Sequence, residues 1–388
     1  MKHVLECTGY EMLVNDIDRA DGYYLFDSKG RRYMDFESGV WCMALGHNNS
    51  QVNEVIKKQI DRIMHLGFRY TNELVETAAV DVLSTLEIFN GKCVFLSSGS
   101  EAVEFGVKTA KTLLKSKKML TFKESYLSAY GTSGSKDDNQ WVKLELSRCL
   151  ACCNNYNCKE CRLVNEIPFN EIGTFVFEPG NTAGLVLIPP KNLVEEISRR
   201  IKQNNGLIVV DEVTTGVGRT GKWYGFQHFN MEPDIIALGK GIGNGHPVSV
   251  AAVNEVVAQK IERENIHHSQ SHQNDVLGCA VVSEVIRYIR QEDLIKRSSE
   301  RGQYFIDKLK QLKQESNSIK EVRGSGMMIA LEFYEGAKNA LESTADQLFK
   351  NGFIVGYKPA FNLMRFYPSL ITTKEDIDSL VECMRLSI

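Results

Sequence analysis

Three stretches of the sequence predict an α/β fold built on an open sheet. Residues 207–210 (LIVV) are a short apolar run of mostly β-branched side chains, the pattern of a strand buried on both faces, and they run directly into Asp211 and Glu212. Residues 235–238 (IIAL) repeat the pattern and lead into Gly239-Lys240-Gly241. Residues 93–96 (CVFL) read as a third strand, followed by Ser97-Ser98-Gly99-Ser100-Glu101 and then helical spacing as far as Leu114. Ligands of open α/β sheets bind beyond the carboxyl ends of the strands. All three stretches therefore put polar residues where a ligand is expected.

The other elements follow in chain order. Residues 22–36 alternate apolar and polar side chains around Ser28-Lys29-Gly30 and read as a β-hairpin. Residues 51–65 and 72–86 have helical apolar spacing. Residues 119–122, 142–146 and 173–177 read as further strands, the last ending in Glu178-Pro179. Helical spacing over 192–203 leads into the central strand at 207–210. A strand is expected at 248–253, and helices at 275–290 and 294–312. No linker, low-complexity tract or internal repeat interrupts the pattern.

The chain has 388 residues, a length that accommodates about two or three domains. Its 43% hydrophobic content permits a large core. The net charge of −3 gives no basis for nucleic-acid or acidic-membrane binding. No apolar run reaches transmembrane length, and residues 1–15 carry Lys2, Glu6 and Glu11 in place of a signal-type apolar core. A soluble cytoplasmic protein is expected, with no nucleic-acid or membrane partner.

A lysine and an acid at strand ends form a pair able to hold a pyridoxal ring. Lys240 would form a Schiff base with the aldehyde, and Asp211 would keep the pyridine nitrogen protonated. The neighbouring glycines would let the backbone approach the cofactor. Taken singly, an acid such as Asp211 after a buried strand is more often a helix cap, and a lysine such as Lys240 more often a solvated charge. The wider pattern decides between these readings. Asp211-Glu212-Val213, Gly218-Arg219-Thr220-Gly221, Glu232-Pro233-Asp234 and Gly239-Lys240-Gly241 stand in the order and spacing of the class III pyridoxal-phosphate aminotransferases. The chain resembles that family, which includes the ornithine, acetylornithine and 4-aminobutyrate enzymes, from about Gly22 onward.

The resemblance implies fold type I: a mainly parallel seven-stranded sheet in a large domain, plus a small α/β domain built from both chain ends. The boundaries it suggests are 1–45 for the N-terminal segment, 46–290 for the large domain and 291–388 for the small one. Residues 322–333 resemble the opening of that small domain. The resemblance also implies a homodimer that takes an amino donor and a 2-oxo acid acceptor. Catalysis would rest on Lys240 and Asp211. Gly99 and Ser100 would cradle the phosphate, where strand, turn and helix N-terminus already suit an anion. Tyr126 would stack on the pyridine ring, Thr214 would reach the ring hydroxyl, and Ser271 would reach the phosphate bound to the neighbouring subunit. Ser269 and Gln270 are rivals for that last role. Trp41 would line the substrate pocket, with ordinary core packing as its alternative. Arg365, in Asn362-Leu363-Met364-Arg365-Phe366-Tyr367-Pro368, would grip a substrate carboxylate through two parallel hydrogen bonds.

Departures from the family pattern narrow the substrate. Leu127, Ser128 and Ala129 stand where the family has His, Gly and Arg, and the lost Arg counts against acetylornithine. Ala183 replaces a glutamate that, in ornithine and 4-aminobutyrate enzymes, pairs with the carboxylate-binding arginine. Arg365 is therefore expected to stay open to carboxylates in both halves of the reaction.

Ten cysteines are present. Cys7, Cys42, Cys93, Cys279 and Cys383 are scattered and read as small buried residues. Cys149, Cys152, Cys158 and Cys161 form two CxxC pairs, a donor set for tetrahedral zinc bracing the loop; an iron–sulfur centre and free or redox-active thiols are the alternatives. His267, His268 and His272 read as the polar lining of an interface loop. Two rival functions remain: a racemase or aminomutase on the same scaffold, and a non-catalytic homologue that senses metal or redox state.

Overall fold

The protein is described from a computed structural model covering residues 3–9, 12–86, 91–115, 117–152, 157–180 and 184–388. Seven strands form the central sheet: β4 (Gly91–Leu96), β5 (Lys118–Phe122), β6 (Trp141–Leu144), β7 (Ile172–Phe177), β8 (Leu207–Asp211), β9 (Ile235–Leu238) and β10 (Ser249–Asn254), once β1 (Ile17–Asp21), β2 (Tyr24–Asp27) and β3 (Arg32–Asp35) are counted at the N-terminus. Their spatial order is β4-β10-β9-β8-β7-β5-β6. Only β10 runs against its neighbours, pairing antiparallel with both β4 and β9. The mainly parallel fold type I sheet is thus present. Every residue of β7, β8 and β9 is buried, as continuous apolar runs demand when helices cover both faces.

The helices form where the spacing places them, at Ser50–Arg62, Glu73–Ser84, Gly99–Leu114, Lys191–Gln203, Val276–Gln291 and Leu294–Glu315. Asn49 and Asn72 cap the first two by accepting first-turn backbone N–H groups. No described helix is long and apolar enough to cross a membrane.

Two smaller sheets flank the large one. The expected hairpin is β2 and β3; β1 adds a third strand. Periodicity missed β1 because its residues are nearly all exposed, leaving no apolar alternation to read. Near the C-terminus lie β11 (Ile319–Ser325), β12 (Met328–Phe333), β13 (Phe353–Ile354), β14 (Gly356–Lys358) and β15 (Leu363–Phe366). β13 joins the N-terminal sheet, parallel to β3, so the two chain ends share one sheet. The other sheet has the order β11-β12-β15-β14.

Arg219 ties the loop after β8 to the C-terminal region. Its Nη1 donates to the carbonyl oxygens of Met327 (3.2 Å) and Pro368, and its Nη2 donates to Ser38 Oγ at 3.3 Å. Burial pushes its pKa down to about 10, still charged at neutral pH. The close approach there depends on Gly326: a Cβ on it would meet the Gly221 nitrogen at 2.4 Å.

Candidate active site

The carboxyl ends of β4, β5, β7, β8 and β9 open on one edge of the sheet. That edge carries Ser97–Ser100, Tyr126, Glu178, Asp211 and Lys240 in turn. Asp211 pairs with Ala237 across β8 and β9, so the acid and the lysine stand on adjacent strand ends.

Lys240 has φ 45°, a left-handed conformation that is costly for a side-chain-bearing residue and marks a position held by its surroundings. Its Nζ donates to Thr214 Oγ1 at 2.6 Å and lies 4.7 Å from the centroid of the Trp41 ring. Burial pushes the ammonium pKa below its ordinary value, while Asp211, Glu178 and Cys42 pull it back up.

Asp211 is buried, and its Oδ1 accepts one backbone N–H, from Val213 at 3.0 Å. Burial pushes its carboxyl up to about 7. A buried carboxylate with one donor calls for a cationic partner, and a protonated pyridine nitrogen supplies one. The donor set thus fits pyridoxal phosphate. Glu212 beside it plays a structural part, taking Thr215 Oγ1 and the N–H groups of Gly225 and Phe226.

In the cofactor-free protein, Asp211 holds a proton in the fold that it gives up when unfolded, where its pKa is about 4. Stability due to this group is full below about pH 4 and is lost as pH rises to about 7. Asp211→Asn does not titrate. It is expected to gain steadily on the wild type across that window and to level off above it. Urea denaturation of both cofactor-free proteins from about pH 4 to about pH 8 checks this; a constant offset would show Asp211 ionised throughout.

At the end of β4, Ser98 caps the helix Gly99–Leu114 by accepting the Glu101 N–H at 3.2 Å. Glu101, whose part spacing did not reveal, closes the turn by accepting the Ser97 N–H at 2.9 Å. The first-turn N–H groups of Gly99 and Ser100 are left as donors for a phosphate. Ser100 Oγ accepts the Ala129 N–H at 2.9 Å, joining this turn to the loop that carries Tyr126. The glycines have a packing role on this edge. A Cβ on Gly99 would meet Val213 Cγ1 at 2.5 Å, and one on Gly239 would meet Gly99 Cα at 3.1 Å. They let three loops pack on one another.

Tyr126 presents a half-exposed ring on this edge, its N–H held by Glu178 Oε2 at 3.1 Å. Glu178 is buried and acts on Lys240; its position at a strand end was the signal available in the sequence. Trp41 stacks on Tyr367 with 4.7 Å between centroids, and Arg365 Cζ lies 4.8 Å from the same Trp41 ring. Lys240 and Arg365 thus both lie against the Trp41 ring. Among the described residues, Trp41 Nε1 and Tyr367 Oη are buried with no partner in hydrogen-bond geometry.

The expectation that Arg365 stays open is corrected. Glu37 faces it: Nη2 donates to Oε2 at 3.1 Å and Nε to Oε1 at 3.3 Å, with both side chains nearly buried. Periodicity could not reveal this pairing, because the two residues are far apart in sequence and meet only when β15 is laid beside the segment after β3. Ala183 lies outside the described residues.

Ser271 lies in a turn whose far end is pinned to β4 by Asn274, which accepts the Phe95 N–H at 2.9 Å. Cys149, Cys158 and Cys161 are buried and Cys152 is half-buried, all as free thiols. Among the described residues, the three or more ligand-capable side chains that lie mutually within 4.8 Å are His65, His272 and Asp275, and the cysteine sulfurs form no such group. Burial and the neighbouring thiols push Cys149 up to about 12 and Cys158 to about 11, so as free thiols they are protonated and unreactive near neutral pH.

The family profile "Aminotransferase class-III" matches residues 7–388. The chain belongs to the class-III aminotransferases. It is similar to acetylornithine aminotransferase of Aquifex aeolicus, 30% identical over 95% of each chain. It is also similar to a leucine/methionine racemase of Thermococcus litoralis, 28% identical over 95% of this chain and 89% of that one. In fold it is similar to the taurine:2-oxoglutarate aminotransferase of Bifidobacterium kashiwanohense, solved with PLP and glutamate, at 19% identity and TM-score 0.89 over all of this chain and 95% of that one. This class-III aminotransferase is an enzyme that moves amino groups between amino and oxo acid substrates, and its family implies pyridoxal phosphate as cofactor.

Proposed function

We propose that Lys240 and Asp211 carry the transamination of a carboxylate-bearing amine, with a 2-oxo acid as acceptor. The observation that carries this is the half-buried Lys240 and the buried Asp211 on adjacent strand ends, with Arg365 against the same indole ring as the lysine. The cofactor supplies an electron sink when bound. Asp211 holds the proton of its ring nitrogen, Thr214 reaches its ring hydroxyl and Tyr126 covers its face. Gly99 and Ser100 hold its phosphate, joined by Ser271 of a second copy of the chain. Lys240 moves the proton at the reacting carbon. Adding L-glutamate, or an amine bearing a carboxylate, is expected to convert the visible band of the loaded enzyme to that of the amine form, and a 2-oxo acid to restore it. An unchanged band would sink this reading.

The unit is proposed to be a homodimer, supported by the exposed Ile60, Met64, Phe68 and Tyr70, an apolar stretch that water disfavours. A racemase is the second reading, favoured by the similarity to the Thermococcus litoralis protein; nitrogen-15 from the donor would then stay on its own carbon skeleton. Structural zinc at Cys149, Cys152, Cys158 and Cys161 is also proposed, supported by their paired spacing and burial, and it requires the sulfurs to draw together. About one zinc per chain is expected in purified protein, lost in Cys158→Ser; metal analysis that finds none ends that proposal.

A further inference from the structure

We infer that His65, His272 and Asp275 bind one divalent transition-metal ion. The site is separate from the cysteine pairs and does not depend on the transaminase reading. Each of the three side chains offers one donor atom, and these atoms all lie within 4.8 Å of one another. His65 Nδ1 is 2.7 Å from Asp275 Oδ1, and the His65 and His272 ring centroids are 4.5 Å apart. A hydrogen-bonded pair accounts for His65 and Asp275 but gives His272 no part. Two imidazoles and one carboxylate are a donor set for zinc or ferrous iron, with one or more positions left open. A tetrahedral ion with bonds of about 2.0 Å holds its donors roughly 3.3 Å apart. The separations here exceed that by at most about 1.5 Å, which rotation of exposed imidazoles covers. On binding, the ion replaces the proton shared by His65 and Asp275, and that proton goes to solvent.

The backbone around all three donors is held. Asn274 has φ 55° and is bonded both ways to β4: its side chain accepts the Phe95 N–H and its own N–H donates to the Phe95 carbonyl, each at 2.9 Å. That fixes the turn between His272 and Asp275. The His272 N–H donates to Gln270 Oε1 at 2.7 Å. Two residues before His65, the Ile63 carbonyl accepts Gln59 Nε2 at 2.7 Å. Asp275 stands at the N-cap of the helix Val276–Gln291, where an aspartate ordinarily accepts a first-turn N–H, yet its side chain makes no capping bond and meets His65. The three donors share a cavity of about 270 Å³ with Met64 and His246. His246 is half-buried there and feels the Asp275 charge, so a fourth imidazole stands within the same cavity. An ion at this point ties the chain after the helix Ser50–Arg62 to the turn that carries Ser271.

The test is made on the cofactor-loaded full chain carrying Cys158→Ser, which disables the cysteine donor set, after chelator treatment and dialysis. Calorimetric titration with Zn²⁺, and anaerobically with Fe²⁺, is expected to show about one ion per chain for at least one of them, with a dissociation constant of about 1 μM or tighter. Co²⁺ should give the visible bands of nitrogen and oxygen ligation with no sulfur charge-transfer band. Adding His65→Ala or His272→Ala, each shown to be folded by circular dichroism, should weaken binding by at least about tenfold. His267→Ala removes a neighbouring histidine outside the cluster and should leave binding unchanged. The ion that binds should raise the thermal midpoint of the Cys158→Ser chain and have no such effect once His272→Ala is added. Binding weaker than about 100 μM for both ions overturns the inference. So does binding that survives both His65→Ala and His272→Ala, or binding lost equally in His267→Ala.

Discussion

Lys240→Ala is expected to lower turnover by about 10⁴-fold, the upper range for one positioned acid–base group. The Nζ stands 2.6 Å from Thr214 Oγ1, in a setting whose burial favours the neutral amine. A neutral amine is both a nucleophile and a base, so one substitution removes covalent attachment and proton transfer together. The left-handed backbone holds the side chain in place. Borohydride reduction followed by mass spectrometry separates the two losses. In the wild type the cofactor mass should stay on the peptide containing Lys240, while the variant should release it on denaturation. A variant that keeps more than about a hundredth of wild-type turnover would remove Lys240 from its assigned role.

Arg365→Leu should lose both stability and substrate. Removing one member of a buried pair leaves the other uncompensated, at a cost of about 3–5 kcal/mol, and here the stranded group is Glu37. Replacing both with Leu should recover most of that stability, since two well-packed apolar side chains match a buried ion pair. Activity should not recover. The rate toward carboxylate donors should fall at least tenfold in both variants, about 1.4 kcal/mol of transition-state stabilisation per decade. Urea midpoints and kcat/KM report the two effects separately. A double variant as unstable as the sum of the singles would show that the pair is not coupled.

The elements most readily read from the sequence were those whose burial is uniform. β7, β8 and β9 are buried along their whole length, and their continuous apolar runs place them within a residue or two. β1 escaped because five mostly exposed residues carry no period. The acid and lysine of the candidate site were legible because strand ends and flanking glycines mark them locally. Glu178 was readable as the end of a strand but not as a charge acting on Lys240, since that depends on strand order in space.

From residue order alone came the alternation of strands and helices, the family pattern, and the places of Asp211 and Lys240 just at strand ends. These are local: each depends on side chains within a few positions of one another and on the periods of strand and helix. Tertiary structure decided whether Arg365 stands open. Glu37 reaches it only because β15 and the turn after β3 converge, and charge pairing across 328 positions leaves no trace in any local period. The fate of the four cysteines is of the same kind. Their spacing permits a metal, while the burial and separation of their sulfurs are set by what packs around the loop.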